Sequence, residues 1–215
     1  MNFNKVISFL EGRLIQPLPG PEAHRRAIPR DRVSERLGHE QPTNPRLGGI
    51  LILLFPDEDN QTIFPLIQRP DYPGTHGGQV SFPGGKYEDH DQSLVATALR
   101  ETHAEIGVSP GTIKVIGTLT NIYIPPSNFQ VTPVVGYLSN RPEFRRDPVE
   151  VDEILEVSLD QLMDRSLHKL IDVEVRGTRL PNTPYFDFHE RVVWGATAMI
   201  LSELHHILEG PATDS

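Results

Sequence analysis

The chain contains no cysteine. That excludes disulfides, a thiolate metal site and a cysteine nucleophile, and it fits a reducing cytoplasm. No apolar run approaches the roughly 20 residues that a membrane span needs. The N-terminus lacks the basic start and unbroken apolar stretch of a signal peptide, because Val6-Ile7 and Phe9-Leu10 are split by Ser8 and followed by Glu11. Positive charge is also scarce: 20 Lys and Arg against 29 Asp and Glu leave a net charge of -9. Such a field repels a nucleic-acid polyanion on average, so a nucleic-acid-binding module is not expected. A small anionic substrate remains compatible where a metal or local cations offset that field. What is present is a chain of 215 residues, 37% hydrophobic and 23% charged, enough for one domain with a sizeable core. It shows no internal repeat and no low-complexity tract.

The stretch from Leu66 to Val108 organises the rest. Leu94, Val95, Ala98, Leu99, Thr102 and Ile106 recur at three- and four-residue steps, which predicts a helix with one apolar stripe. Asp91 and Ser93 are both candidate N-caps, and Gly107 is a natural stop. Glu101 and Glu105 stand at i and i+4, roughly 40° apart around the helix, so they share a face bordering the stripe. Two like charges there repel unless a cation sits between them, and oxygen ligands of this kind suit a hard divalent ion such as Mg²⁺. Spacing alone leaves two readings open, a metal site or a solvated acidic helix edge, and the second is the commoner arrangement.

The surrounding residues resemble the Nudix box, G-x5-E-x7-R-E-U-x-E-E-x-G-U with U a bulky apolar residue. Gly85, Arg100-Glu101, Glu105 and Gly107-Val108 carry the resemblance. One extra residue separates Gly85 from Arg100, Asp91 or Glu88 stands for the first Glu, Thr102 takes the first U position, and Ala104 replaces the first residue of the Glu-Glu pair. The longer box is similar to that of the coenzyme A pyrophosphatases. Their upstream pattern, L-L-T-x-R-S-x3-R-x3-G-x3-F-P-G-G, is matched by Leu66-Ile67-Gln68-Arg69-Pro70, Gly78 and Phe82-Pro83-Gly84-Gly85, with Gly74 where the pattern has its second Arg. Pro184-Tyr185-Phe186 and Val193 to Ala198 also resemble that subfamily, so the likeness covers roughly residues 45 to 209.

The resemblance implies an α/β fold: an α/β/α sandwich with a mixed sheet and a loop-helix-loop catalytic box. It also implies a domain over 45–209 preceded by an N-terminal helix and polar arm over 1–44. Glu101, Glu105 and the Gly85 carbonyl are the implied holders of Mg²⁺ or Mn²⁺. Arg100 points off the metal face and is expected to orient box carboxylates. Arg69, Gly84 and Lys86 are the expected substrate contacts. The general base stays open among Glu88, Asp89, Asp91, Asp152, Glu153 and a metal-bound hydroxide. The implied activity is hydrolysis of the pyrophosphate of coenzyme A or an acyl-coenzyme A. Two alternatives stand beside it: ADP-ribose, a dinucleotide or a nucleoside triphosphate as substrate, and a non-catalytic nucleotide-binding module of the same fold.

The remaining segments read as follows. Residues 3–16 predict an amphipathic helix with Val6, Phe9, Leu10, Leu14 and Ile15 on one side. Residues 22–46 lack periodicity and are locally basic, through His24-Arg25-Arg26, Arg30 and Arg32. They read as a solvated linker or, alternatively, an arm contacting substrate phosphate or the second subunit of a homodimer. Gly48 to Pro56 predicts a strand buried on both faces, paired as a hairpin with Thr62 to Arg69. His76, in the following Gly- and Pro-rich loop, is either a turn cap or a substrate contact. Thr112 to Ile124 predicts a long strand, Phe129 to Leu138 its return and Glu153 to Val157 a short strand. A helical turn starts at Asp160. Leu167 to Arg176 and Tyr185 to Val193 predict a hairpin, and Trp194 to Leu208 a closing helix. Arg141, Arg145 and Arg146 read as surface charge, and His205-His206 as helix-end residues with no metal role.

Overall fold

A computed structural model describes residues 1–38, 44–71, 77–175 and 177–210. Gly74 and His76 lie outside these residues. Helix α1 spans Phe3–Arg13, followed by the short helices α2 (Pro21–His24) and α3 (Val33–Leu37). Strand β1 (Arg46–Pro56) turns at Asp57, whose carboxylate accepts the Gln61 N–H at 2.7 Å, into antiparallel β2 (Thr62–Gln68). Two short strands follow, β3 (Val80–Ser81) and β4 (Gly84–Lys86), and then helix α4 (Leu94–Ile106). Beyond it lie β5 (Lys114–Thr118), β6 (Ile122–Ile124), β7 (Phe129–Tyr137) and β8 (Glu153–Ser158). The chain closes with α5 (Leu159–Met163), β9 (His168–Val175), β10 (Thr178–Phe188), β11 (Arg191–Val193) and α6 (Gly195–Glu209).

Among the described residues, β1 to β8 form one mixed sheet. β1 runs parallel to β7, and the other pairings are antiparallel. Side chains of β1 alternate between two cores, as a strand buried on both faces requires. Leu51, Leu53 and Phe55 pack with Ala98 and Ile106 of α4, while Ile52 and Leu54 pack with α1 and α6. The sheet thus lies between α4 on one face and α1 with α6 on the other. One edge of β1 is shared. Phe55 pairs with Ile63 of β2, whereas Gly48 to Ile50 pair with β4. The main chain of Gly84 is therefore delivered to the sheet edge beside α4.

Several segments differ from the sequence-based expectation, each for a long-range reason. The strand expected over 112–124 breaks into β5 and β6. Thr120 at the break directs its N–H and hydroxyl to Glu203, the hydroxyl at 2.6 Å, instead of to the sheet. The C-terminal hairpin is β9 with β10, whose pairing begins at Thr178 and shifts register between Leu180 and Thr183. Pro181 and Pro184 hide the alternation there. A separate turn at His189 and Glu190 then starts β11. In α1 the buried face is Phe3, Val6, Ile7 and Leu10; Phe9 lies off that face and Ile15 lies past the helix end at Arg13, and both are exposed.

The stretch 22–46, expected to be a solvated linker or an arm, is structured over its first part: α2 and two 3-10 turns lie between Pro21 and Arg32 and bury Ala23, His24, Ala27 and Ile28. Glu203, fully buried on α6, holds this arm. It accepts the Gly20 N–H at 3.2 Å and the Thr120 hydroxyl, and it meets His24 Nε2 at 2.9 Å. With the arm laid across it, α6 is buried around most of its circumference, so its one-sided apolar pattern understated its contacts. His205 is buried with it, and burial pulls its pKa down to about 4, so it is neutral instead of complementing the helix end. No helix among the described residues is long and apolar enough to cross a membrane.

Candidate functional site

Helix α4 starts at Ser93, whose hydroxyl accepts the Ala96 N–H at 3.1 Å, and stops at left-handed Gly107. Asp91, the other candidate cap, is engaged elsewhere. Its two oxygens each accept from Arg100 at 2.8 Å, and one also accepts from the Thr97 hydroxyl at 2.9 Å. Hydrogen bonding from Arg100 holds the Asp91 carboxyl well below the usual carboxylate range, overriding its burial. Arg100 in turn donates to Glu101 at 2.7 Å and to the Lys86 carbonyl at 3.0 Å. One guanidinium thus joins the acidic turn, β4 and the helix carboxylate. Glu88, the alternative for the first acidic position of the box, is exposed beside His90.

Glu105 is the buried member of the pair. Its Oε2 accepts the Gly84 N–H at 2.8 Å, and its Oε1 lies 3.3 Å from Arg69. Burial pushes its pKa up to about 7, against the pull of Arg69 and Gly84, with a smaller upward push from Glu101 and Glu150. Glu150 stands in the loop between β7 and β8, where no periodicity or motif in the sequence marks it. Glu101 sits over Gly85. A Cβ added there would meet the Glu101 carboxylate at 2.5 Å, so only glycine lets carboxylate and main chain approach this closely. Gly84 has φ +148 and packs against Gly49 and Ile50, a second position closed to side chains.

A cleft of about 360 Å³ opens beside these groups, with Arg69, Gly84, Gly85 and Lys86 in its walls. Neither glutamate lines the cleft itself; Glu105 reaches it through Gly84 and Arg69. The structure therefore brings the expected contacts to one place and leaves Glu101 tied in through Arg100. The opposite wall is apolar, built from Ile122, Ile124, Phe129 and Trp194. Of these, Trp194 at the start of α6 was the part marked in the sequence.

The donor set suits a hard divalent ion. Two carboxylates on one helix face and a glycine carbonyl are oxygen ligands, and Mg²⁺ commonly takes one or two carboxylates while keeping waters or substrate oxygens for the rest. Among the described residues no group of three His, Cys, Asp or Glu side chains gathers. Ala104 stands where the box has a glutamate. Ala104 is exposed on α4, and Glu has nearly the helix propensity of Ala, so Ala104→Glu keeps the fold. The expected result is a lower divalent-ion concentration at half activity. A titration curve that does not move would remove position 104 from the site.

The NUDIX domain model matches residues 45–176. A relative from Pectobacterium atrosepticum, named "Uncharacterized Nudix hydrolase NudL", is 37% identical over 134 residues, which is 60% of this chain and 66% of the relative, just under two thirds of its length. A protein of the same name from Shigella flexneri is 34% identical over 171 residues, covering 77% of this chain and 84% of that relative. Among solved structures, a Nudix hydrolase from M. Smegmatis, RenU, superposes with a TM-score of 0.54 at 16% identity, covering 77% of this chain and 86% of that one. That likeness concerns the fold alone.

Proposed function

Since this chain belongs to the NUDIX domain family, that of the Nudix hydrolases, we propose that it cleaves the pyrophosphate of coenzyme A or an acyl-coenzyme A. The products are 3′,5′-ADP and 4′-phosphopantetheine or its acyl form. The observation that supports it most is the bonded cluster of Arg69, Gly84 and Glu105 at the cleft, a cation and a main-chain turn next to a buried carboxylate. Arg69 uses part of its five-donor guanidinium on Glu105 and the Gly84 carbonyl, leaving donors for a phosphate.

In this reading Glu101, Glu105 and the Gly85 carbonyl hold Mg²⁺ or Mn²⁺. When bound, such an ion neutralises phosphate oxygens and lowers the pKa of water. Arg100 fixes the Glu101 carboxylate, and Asp91 fixes Arg100. Asp91 is too firmly ionised to take a proton from water near neutral pH, which removes it from the general-base candidates. Glu153 is paired with Arg191 at 2.8 Å. Glu150, an exposed loop acid whose charge adds to the upward push on Glu105, joins the candidates instead. A water adds to one phosphorus, its proton passes to the base, and the bond from that phosphorus to the bridging oxygen breaks. Lys86 and Arg69 counter the charge that gathers on the phosphates.

The test is a comparison of coenzyme A with dephospho-coenzyme A, ADP-ribose and NADH at equal concentration, scored by product mass. Coenzyme A or an acyl form is expected to have the highest kcat/KM. A tenfold advantage for ADP-ribose, about 1.4 kcal/mol at the transition state, would retire the coenzyme A assignment and leave a Nudix hydrolase of another nucleoside diphosphate derivative.

A further inference from the structure

On the far side of α6 lies a second, larger cleft of about 1130 Å³ that shares no lining residue with the catalytic one. It is enclosed by the 3-10 turns of the N-terminal arm, the β9–β10 hairpin and the last turns of α6. In a chain of net charge -9, the cations Arg25, Arg26, Arg30, Arg165 and Lys169 line it, against the acids Asp31 and Glu209. Glu209 is already shared, accepting from Arg26 at 2.9 Å and Arg165 at 3.0 Å, and Lys169 is bonded to Asp187 at 2.6 Å. Arg25 and Arg30 have no ion pair among the described residues.

These arginines are not on a free tail. The arm that carries Arg25 and Arg26 is anchored by the buried bonds of Glu203 to Gly20 and His24, so its main chain is fixed at the cleft wall, and Arg26 is tied further by Glu209. Convergent cations in a concave surface focus their field and concentrate anions. The site also includes His205, 4% exposed, whose ring lies 5.0 Å from that of His168 and whose Nε2 is buried with no hydrogen-bond partner. A buried polar nitrogen left unpaired is unfavourable, and a ligand that settles nearby and supplies a partner relieves it.

We propose that this cleft binds a phosphate monoester of nucleotide size, at a site separate from the catalytic one. Arginine forms paired charge-assisted bonds to phosphate oxygens. The volume is well above that of orthophosphate and at the upper end of, or just beyond, the roughly 300–1,000 Å³ of sites for organic ligands. Tyr185 and Asn182 in the wall offer an aromatic face and an amide for the organic part.

The experiment is calorimetric titration of AMP and, separately, of orthophosphate in excess EDTA. It uses the full chain, the Glu101→Gln variant and the double variant Arg25→Glu, Arg30→Glu. Both arginines are exposed and have no ion pair among the described residues, so the double variant should melt as the wild type does and turn over the pyrophosphate substrate at the same rate. AMP is expected to bind the wild type and Glu101→Gln equally and the double variant at least about tenfold more weakly. It should also bind at least about tenfold more tightly than orthophosphate. Absent AMP binding, binding lost in Glu101→Gln, or binding kept in the double variant overturns the proposal. Equal affinity for orthophosphate overturns the assignment of an organic ligand. The Glu101→Gln arm separates this outcome from any failure of the proposed hydrolase activity.

Discussion

Glu101→Gln and Glu105→Gln are each expected to lose at least about two orders of magnitude in turnover, several kcal/mol at the barrier. Gln keeps the shape of either side chain and removes the charge that would hold a divalent ion. In Glu105→Gln the amide oxygen can still accept the Gly84 N–H, so the junction between β4 and α4 is preserved. Folding should survive as well, because burial already disfavours the Glu105 charge and raises its pKa to about 7. In Glu101→Gln the bond from Arg100 weakens, but Arg100 stays fixed by both oxygens of Asp91. The measurement is kcat at saturating Mg²⁺, with a thermal melt in EDTA to show that the fold is intact. Normal turnover by Glu101→Gln under those conditions would show that the metal is held elsewhere.

The second large effect concerns a residue remote from the catalytic cleft. Glu203→Ala is expected to destabilise the protein by about 3–5 kcal/mol, the order expected when several buried groups each lose their hydrogen-bond acceptor at about 1–3 kcal/mol apiece. At roughly 2–4 °C per kcal/mol for a chain of this size, Tm falls by about 10 °C. The reason is the number of groups left without a partner: the Gly20 N–H, the Thr120 N–H and hydroxyl, and His24, itself 3% exposed. The pH dependence has a definite sign. Burial raises the Glu203 pKa, but the bonds from His24 and Thr120 outweigh it, so the folded value lies below the ordinary 4.5. A depressed carboxylate stabilises the fold above its unfolded pKa, and that contribution is lost as pH falls through the folded value. The gap in Tm between wild type and Glu203→Ala should therefore be full at pH 7 and shrink in acid below about 4.5. A variant that melts within 2 °C of the wild type at pH 7, about 1 kcal/mol, would show that the arm is held by its apolar contacts alone.

Local patterns carried a good part of this protein. The stripe from Leu94 to Ile106 and the glycine at 107 were enough to place α4, because helical spacing and capping act within a few residues. The same periodicity puts Glu101 and Glu105 on one face without any tertiary contact. Gly48 to Pro56 announced a strand with a core on each side, since its run is apolar throughout, and Leu51 to Phe55 are buried without a break. Motif spacing tied Arg69 and Phe82–Gly85 to that helix, and the cleft does bring Arg69, Gly84 and Gly85 together.

Other features depended on partners far apart in the chain. Nothing near Asp91 distinguished a helix cap from an anchor for Arg100; the choice depended on where the acidic turn and β4 met the helix. Glu105 became the buried carboxylate, and Glu101 the half-exposed one, because β1 shares its edge between β2 and β4 and so delivers the Gly84 N–H to one of them. The stretch after residue 22 had no periodicity, yet Ala23, His24, Ala27 and Ile28 are buried, with a carboxylate 183 residues beyond Gly20 accepting hydrogen bonds from Gly20 and meeting His24. That same contact divided the long strand at Thr120 and covered α6 on its outer side. Helix and strand periodicity report the side of an element that meets some core. Which buried donor meets which acceptor follows from sheet register and layer packing, where the energy lies in contacts that the local sequence does not contain.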